Sequence, residues 1–285
     1  MTDTYSQEVT TYFRGKADGY DRVDEQVYWR LSDELLWNLL EHHVLPSLPL
    51  GAKILDAGGG TGRWSDRLLR ARENASGVLF DLSPDMTRHA QAKAAAHGYA
   101  DRFQVINGDL ADLDKHVSEA QFDLAISFHN VLGFVDDVPQ VLRNIAAALK
   151  PGGQAVLVVP NRYHAVFFNI FTGALDEAES VAHNRRGRFA PEMPDMHMFT
   201  PSELTGTLSS VDLPVSVLTG FPVAVYPGFQ ETQIEGTSVG VQQVLSDAEA
   251  YERIKAIELR LSGEPGLAER GNNLFVVARK PATTA

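Results

Sequence analysis

A short apolar strand that ends in an acid and breaks at once into glycines leaves a chain few folds to choose from. Lys53-Ile54-Leu55-Asp56-Ala57-Gly58-Gly59-Gly60-Thr61-Gly62-Arg63-Trp64 is such a segment, with four glycines inside five residues and a helix expected after them. A cofactor can lie against bare backbone only where no Cβ intrudes and where φ can turn positive, and a helix N-terminus adds free N–H donors. The segment therefore reads as a nucleotide-cofactor loop. A dinucleotide fingerprint needs Gly-x-Gly-x-x-Gly; counted from Gly58 and Gly60, the third glycine would fall at Arg63, so that pattern fails and the glycines stand at 58, 60 and 62.

Further acid-ended strands follow in order. Gly77-Val78-Leu79-Phe80-Asp81 is apolar up to its carboxylate, and Leu82-Ser83-Pro84-Asp85-Met86 opens a helix with Ser83 at the N-cap and Pro84 just inside it. An acid about 20 residues past a glycine loop is placed to accept both ribose hydroxyls, which makes Asp81 the expected ribose ligand. Phe103 to Leu110 is a third strand running into Gly108-Asp109, and Phe122 to Asn130 is a fourth. Ligands of an open α/β sheet bind at the carboxyl ends of its strands, so Phe128, His129 and Asn130 should face the crevice. Leu149-Lys150-Pro151-Gly152-Gly153 reads as a helix end and turn, with Gln154 to Val159 as a fifth strand.

This series, from an acid two residues ahead of Gly-x-Gly-x-Gly to the Pro-Gly-Gly turn, resembles the class I, Rossmann-like S-adenosylmethionine-dependent methyltransferases of the small-molecule type. The resemblance implies an α/β fold: a seven-stranded, mostly parallel sheet with helices on both faces and an antiparallel last strand. Asn273 to Lys280 is the expected last strand and Val215 to Tyr226 its hairpin partner. It implies S-adenosylmethionine as cofactor, held by Asp56, Gly58, Gly60, Gly62, Asp81, Leu82, Asp109, Leu110 and Phe128. Asp109 would meet the adenine amine, with Leu110 against the ring.

The expected organisation is an N-terminal helical lid or extension (1–50), a cofactor-binding core (51–160), a substrate-cap insertion (161–212) and a C-terminal part of the sheet with a helix (213–285). Asp24 to Val44 has helical periodicity through Val27, Leu31, Leu35, Leu39 and Leu40. Trp29 and Trp37 on it are expected to cover the sheet, while Tyr12 and Tyr20 are lid candidates. The insertion pairs an apolar stretch, Tyr163 to Phe171, with Asn184-Arg185-Arg186-Gly187-Arg188 and the cluster Met193 to Met198. Such a segment suits either a lid over an apolar substrate or a helix pair over the sheet. Thr200-Pro201-Ser202-Glu203 is a capping-box start. Ser246 to Glu249 starts a helix bearing Tyr251, Ile254, Ile257 and Leu261, read as packing or a subunit contact.

A sulfonium methyl is already activated, so such an enzyme has mainly to position the acceptor, with a general base where the acceptor must lose a proton. His129 is the first candidate base; His197 is the second and Tyr20 a further catalytic candidate, with His42, His43, His164 and His183 less specifically placed. Aromatic- and methionine-rich cap regions point to a small aromatic or heteroaromatic, indole-like acceptor, whose acceptor atom (C, N or O) the residues do not name.

A formal net charge of −12 argues against nucleic acid as substrate, since phosphate is bound by a lysine and arginine excess. The chain has no cysteine, hence no disulfide or thiolate metal site, and no metal motif is expected. No apolar run approaches 18 residues and Met1-Thr2-Asp3-Thr4 has no basic start, so neither a membrane span nor a signal peptide is expected and a cytoplasmic location is. Pro281 to Ala285 should be a frayed end. A homo-oligomer remains open. The rival readings are a non-catalytic S-adenosylmethionine-binding regulatory protein, an NAD-linked oxidoreductase and an RNA methyltransferase.

Overall fold

The parallel strands that the acid-ended runs predict lie side by side in the computed structural model, which describes residues 2–225, 241–261, 264 and 266–282. Strands β1 (Lys53–Ala57), β2 (Ser76–Asp81), β3 (Phe103–Asn107), β4 (Phe122–Ser127), β5 (Leu149–Pro160), β8 (Val215–Phe221) and β9 (Asn273–Arg279) form one sheet in the order β3-β2-β1-β4-β5-β9-β8. β9 pairs antiparallel with both its neighbours, β5 and β8, and the pairs among β1 to β5 are parallel. The order reverses between β1 and β4, which is where a doubly wound sheet opens a crevice.

The helices are α1 (Thr2–Arg14), α2 (Val27–His43), α3 (Arg63–Ala71), α4 (Pro84–Ala96), α5 (Val138–Ala148), α6 (Arg162–Phe171), α7 (Leu175–Asn184), α8 (Pro201–Ser209), α9 (Val241–Ser246) and α10 (Ala248–Leu261). Alternation along the strands sends Ile54, Leu124, Val156 and Phe275 into one core with α2 and α3, and Leu55, Phe80, Ala125 and Leu157 into another with α5 and α8. Burial on both sheet faces is why these strands read as unbroken apolar runs.

Several local expectations hold. The Ser83 hydroxyl accepts from Met86 N at the head of α4, and Thr200 and Glu203 close a reciprocal capping box on α8. Trp29 and Trp37 pack against the core. Other expectations shift. Asp24 lies in a 3₁₀ segment, Ala17–Glu25, and α2 begins only at Val27. The expected Pro-Gly-Gly turn is absorbed into β5, which starts at Leu149 directly after α5 and changes register against β4 between Phe122 and Leu124. The helix start expected over Ser246 to Glu249 holds, with Asp247 accepting from Ala250 N at 2.8 Å at the head of α10. Tyr226, the last residue of the expected hairpin partner, and Thr283 to Ala285 of the expected frayed end lie outside the described residues.

The insertion folds on itself. A two-stranded ribbon of β6 (Arg186–Gly187) and β7 (Met196–His197) joins α6 and α7 around Ala165, Val181, Met196 and Met198, all buried. Its arginines are paired, Arg185 with Glu203, Arg186 with Asp195 and Arg188 with Glu177, so the basic run is a network within the insertion.

Candidate active site

The carboxyl ends of β1, β2, β3 and β4 surround a cavity of about 440 Å³. The glycine loop forms its floor. Gly58 sits at φ +80°, and a Cβ there would come within 2.3 Å of the Val131 side chain. Backbone bonds lace the strand ends together, Gly58 N to the Phe80 carbonyl at 2.7 Å and Gly108 N to the Asp81 carbonyl at 3.1 Å. Asp81 ties β2 to the loop, since Oδ2 accepts from Gly60 N and Oδ1 from Ser83 N, both at 2.8 Å. Burial raises its pKa despite these bonds. Asp56 lies under the loop, accepting from Ser65 Oγ at 2.6 Å. Burial, reinforced by the nearby Asp81 charge, pushes Asp56 up to about 7.

The N-terminal segment is the roof. Ser6, Val9, Thr10 and Phe13 of α1 line the cavity, and Phe13 meets Phe134 edge-to-face at 5.4 Å. Pins hold the segment in place: Tyr5 Oη donates to the Asp195 carbonyl of the insertion, Thr61 Oγ1 to Asp21 at 2.6 Å, and Arg14 pairs with Asp85. Arg63, the first residue of α3, reaches back through Nη2 to Asp24 and Asp33. The roof and the glycine loop are one cross-linked unit.

The cavity brings together Tyr20, Asp56, Gly58, Gly60, Asp81, Leu82, Asp109, Leu110, Phe128 and His129, residues from five segments of the chain. Asp109 also caps the turn after β3, its Oδ1 accepting from Ala111 N at 2.9 Å, while Oδ2 stands 3.4 Å from Ser6 Oγ in the roof. Three predicted residues, Gly62, Asn130 and His197, are not among those that line the cavity. Gly62, at φ +74°, packs against Ala90 and lets α3 approach α4. His197 sits on β7 with its ring 4.5 Å from that of Phe199, and burial lowers its pKa. No residue of the expected cap, 161–212, is among those that line the cavity, because the insertion's methionines face their own small core. Tyr12 points away as well, accepting from Lys16 Nζ at 2.6 Å.

His129 is at the crevice as expected, but not as a base. Its Nε2 accepts from Trp64 Nε1 at 2.7 Å, and an indole N–H can only donate. That bond fixes the neutral Nδ1–H form. Burial, the largest influence, brings its pKa down to about 4. With Nε2 engaged and Nδ1 carrying the proton, the ring has no lone pair free to take another. His129 and Asn130 both adopt left-handed backbone, φ 55° and 72°, a strained pair of the kind that recurs where a side chain must be aimed. Tyr20 Oη, whose pKa burial pushes up to about 12, stays protonated.

The α1 residues Ser6, Val9 and Thr10, together with Arg63, Trp64 and Phe134, were not legible as site residues. Arg63 and Trp64 carry one usable signal, their place in the first helical turn after a glycine loop. Among the described residues no three His, Asp or Glu side chains gather as a metal site needs, and no helix is long and apolar enough to cross a membrane.

Sheet order, glycine floor and acid-ended strands define a Rossmann-like domain built to hold a nucleoside cofactor. Residues 54–153 match a family model described as a methyltransferase domain. The chain is 26% identical over 253 residues to the tRNA 5-carboxymethoxyuridine methyltransferase of Escherichia coli, covering 88% of this chain and 89% of that protein. It is 32% identical over 126 residues to the ubiquinone biosynthesis O-methyltransferase of Xanthomonas axonopodis pv. citri, covering 44% and 50%. Among solved structures, an S-adenosylmethionine-dependent methyltransferase from Mesorhizobium loti superposes with a TM-score of 0.53 at 19% identity, over 90% of this chain and all of that one. Residues 54–153 thus carry a methyltransferase domain, on a sheet shared with Rossmann-like, S-adenosylmethionine-dependent methyltransferases. S-adenosylmethionine is its cofactor.

Proposed function

We propose that this enzyme methylates a small aromatic or heteroaromatic, indole-like metabolite. The observation that carries the reading is the roof: α1 closes the cavity with Val9 and Phe13 beside Ser6 and Thr10, and Phe128, Phe134 and Tyr20 contribute aromatic walls. A flat apolar acceptor would be gripped there and shielded from water.

The residues present fit the cofactor. Asp81 has spare acceptor sites for a ribose diol. Asp109 and Leu110 offer an acceptor and an apolar wall for adenine, and Gly58 and Gly60 present backbone without a Cβ to the cavity. When bound, S-adenosylmethionine supplies an activated methyl group. The chain's own part is to orient the acceptor and exclude water.

The tRNA-modifying relative, matched over most of both chains, supports a second reading with RNA as acceptor. The net charge of −12 weighs against it. Calorimetry with S-adenosylmethionine and NADH, followed by a methyl-transfer screen of indoles, phenols, aromatic acids and unmodified tRNA, tests both. Transfer to tRNA with salt-sensitive binding would overturn the small-molecule reading, and binding of NADH alone would overturn the methyltransferase reading of the site.

A further inference from the structure

One end of the cavity gathers three groups that can donate a hydrogen bond. Tyr20 Oη has no hydrogen-bond partner among the described residues. Arg63 Nη2 is shared by Asp24 and Asp33, which leaves Nη1 unengaged. His129 Nδ1 bonds no protein atom and, unlike the buried orphan atoms of the molecule, is not sealed from the cavity. All three residues line the cavity, and Arg63 acts on both Tyr20 and His129. The carboxylates that act on Tyr20 and His129 are Asp24, Asp33 and Asp81; each accepts a protein N–H and keeps further acceptor positions, Asp33 Oδ1 having no partner.

Trp64 keeps His129 in this state. Asp33 Oδ1 is buried without a hydrogen-bond partner and stands 3.7 Å from His129 Nε2. Left to itself, an imidazole beside a carboxylate would turn an Nε2–H toward it. The indole N–H at 2.7 Å forbids a proton there and forces it onto Nδ1. The left-handed backbone at residues 129 and 130 holds the ring at the cavity wall.

Building on the methyltransferase reading, we infer that Tyr20, Arg63 and His129 Nδ1–H form a subsite for an acidic oxygen of the acceptor, a carboxylate or phenolate on its aromatic frame, with Trp64 as the positioning residue that keeps His129 a donor. An oxygen that arrives ionised has no proton to lose, which agrees with a cavity whose one histidine has no free lone pair. An ammonium gains no hydrogen bond from Arg63 or from His129 Nδ1–H, which only donate.

The test uses full-length protein labelled with ¹⁵N-histidine and saturated with S-adenosylhomocysteine, with His129→Asn to assign the resonance and benzoate and benzylamine as matched probes. The wild type should show protonated Nδ1 and bare Nε2 from pH 6 to 8. Benzoate should move Nδ1 and bind with an affinity flat over that range, whereas benzylamine should leave Nδ1 unmoved. Trp64→Phe, which retains an aromatic ring against Phe128, frees Nε2 for Asp33. At high pH it should present a bare Nδ1 to the cavity and lose benzoate affinity at least about tenfold between pH 6 and 8. A protonated Nε2 in the wild type, an equal response to benzylamine, a shift with S-adenosylhomocysteine to which benzoate adds nothing, or a flat Trp64→Phe profile would each overturn the inference. Failure of S-adenosylhomocysteine to bind, seen separately by calorimetry, would instead remove the methyltransferase reading and this inference with it.

Discussion

Asp81 offers the sharpest measure of how the cavity holds its cofactor. A carboxylate has about four lone-pair positions, and the structure uses one on each oxygen, for Gly60 N and Ser83 N at 2.8 Å. Two remain, the number a ribose diol requires. Hydrogen bonds to a charged group contribute about 1.5–3 kcal/mol each, so Asp81→Ala should cost about 3 kcal/mol in S-adenosylmethionine binding at the lower bound, a roughly 150-fold rise in Kd. Asp81→Asn should not rescue it, because its amide nitrogen must face either the Gly60 or the Ser83 N–H, donor against donor, and the loop loses a tether besides. The assay is calorimetric titration of each variant, paired with a thermal melt to establish that it is folded. An Asp81→Ala protein that melts cooperatively and binds within threefold of the wild type would refute the assignment.

Three further expectations are independent of it. With Asp56 held near pH 7 by burial, its native pKa lies above the ordinary carboxylate value. A cationic cofactor favours the ionised form, so binding should release a proton and tighten by up to about tenfold per unit as pH rises toward 7, then level off; heats that do not vary with buffer ionisation enthalpy at pH 6.5 would contradict this. Gly62→Ala forces φ +74° on a Cβ that would lie 2.9 Å from Ala90 Cβ and should destabilise by about 1–3 kcal/mol; adding Ala90→Gly should recover only part of the loss, and cofactor affinity should stay within a few fold because Gly62 lies outside the cavity. Buried Glu258 accepts from Val223 N, Ala224 N and Val225 N at 2.8–2.9 Å, so Glu258→Ala should cost about 3 kcal/mol or more in urea unfolding, and a loss below 1 kcal/mol would show that these N–H groups find other partners.

Much of the enzyme is written locally. Each acid-ended apolar run became a strand end at the crevice, and Asp56, Asp81, Asp109 and Phe128 met there, because strand, turn and cap chemistry depend on residues close in sequence. Even Asp81's distance from the glycine loop is a local matter, set by one βα unit. The same short-range logic placed Ser83 and Thr200 at their helix starts.

The roof and the histidine are another matter. That α1 rather than the insertion covers the cavity depends on Phe13 meeting Phe134 and Tyr5 reaching Asp195, contacts across more than a hundred residues that leave no periodicity to read. The insertion's methionines looked like a substrate cap by composition, yet Val181, Met196 and Met198 bury one another. A sequence places His129 at the end of β4, but not whether its ring will give or take a proton. That was decided by an indole from the first turn of α3 and a carboxylate from α2, because protonation depends on what surrounds a group in space. The sequence by itself determined the sheet, the cofactor and most of the residues that gather at the crevice; only tertiary packing decided what closes the site and which atom of His129 faces it.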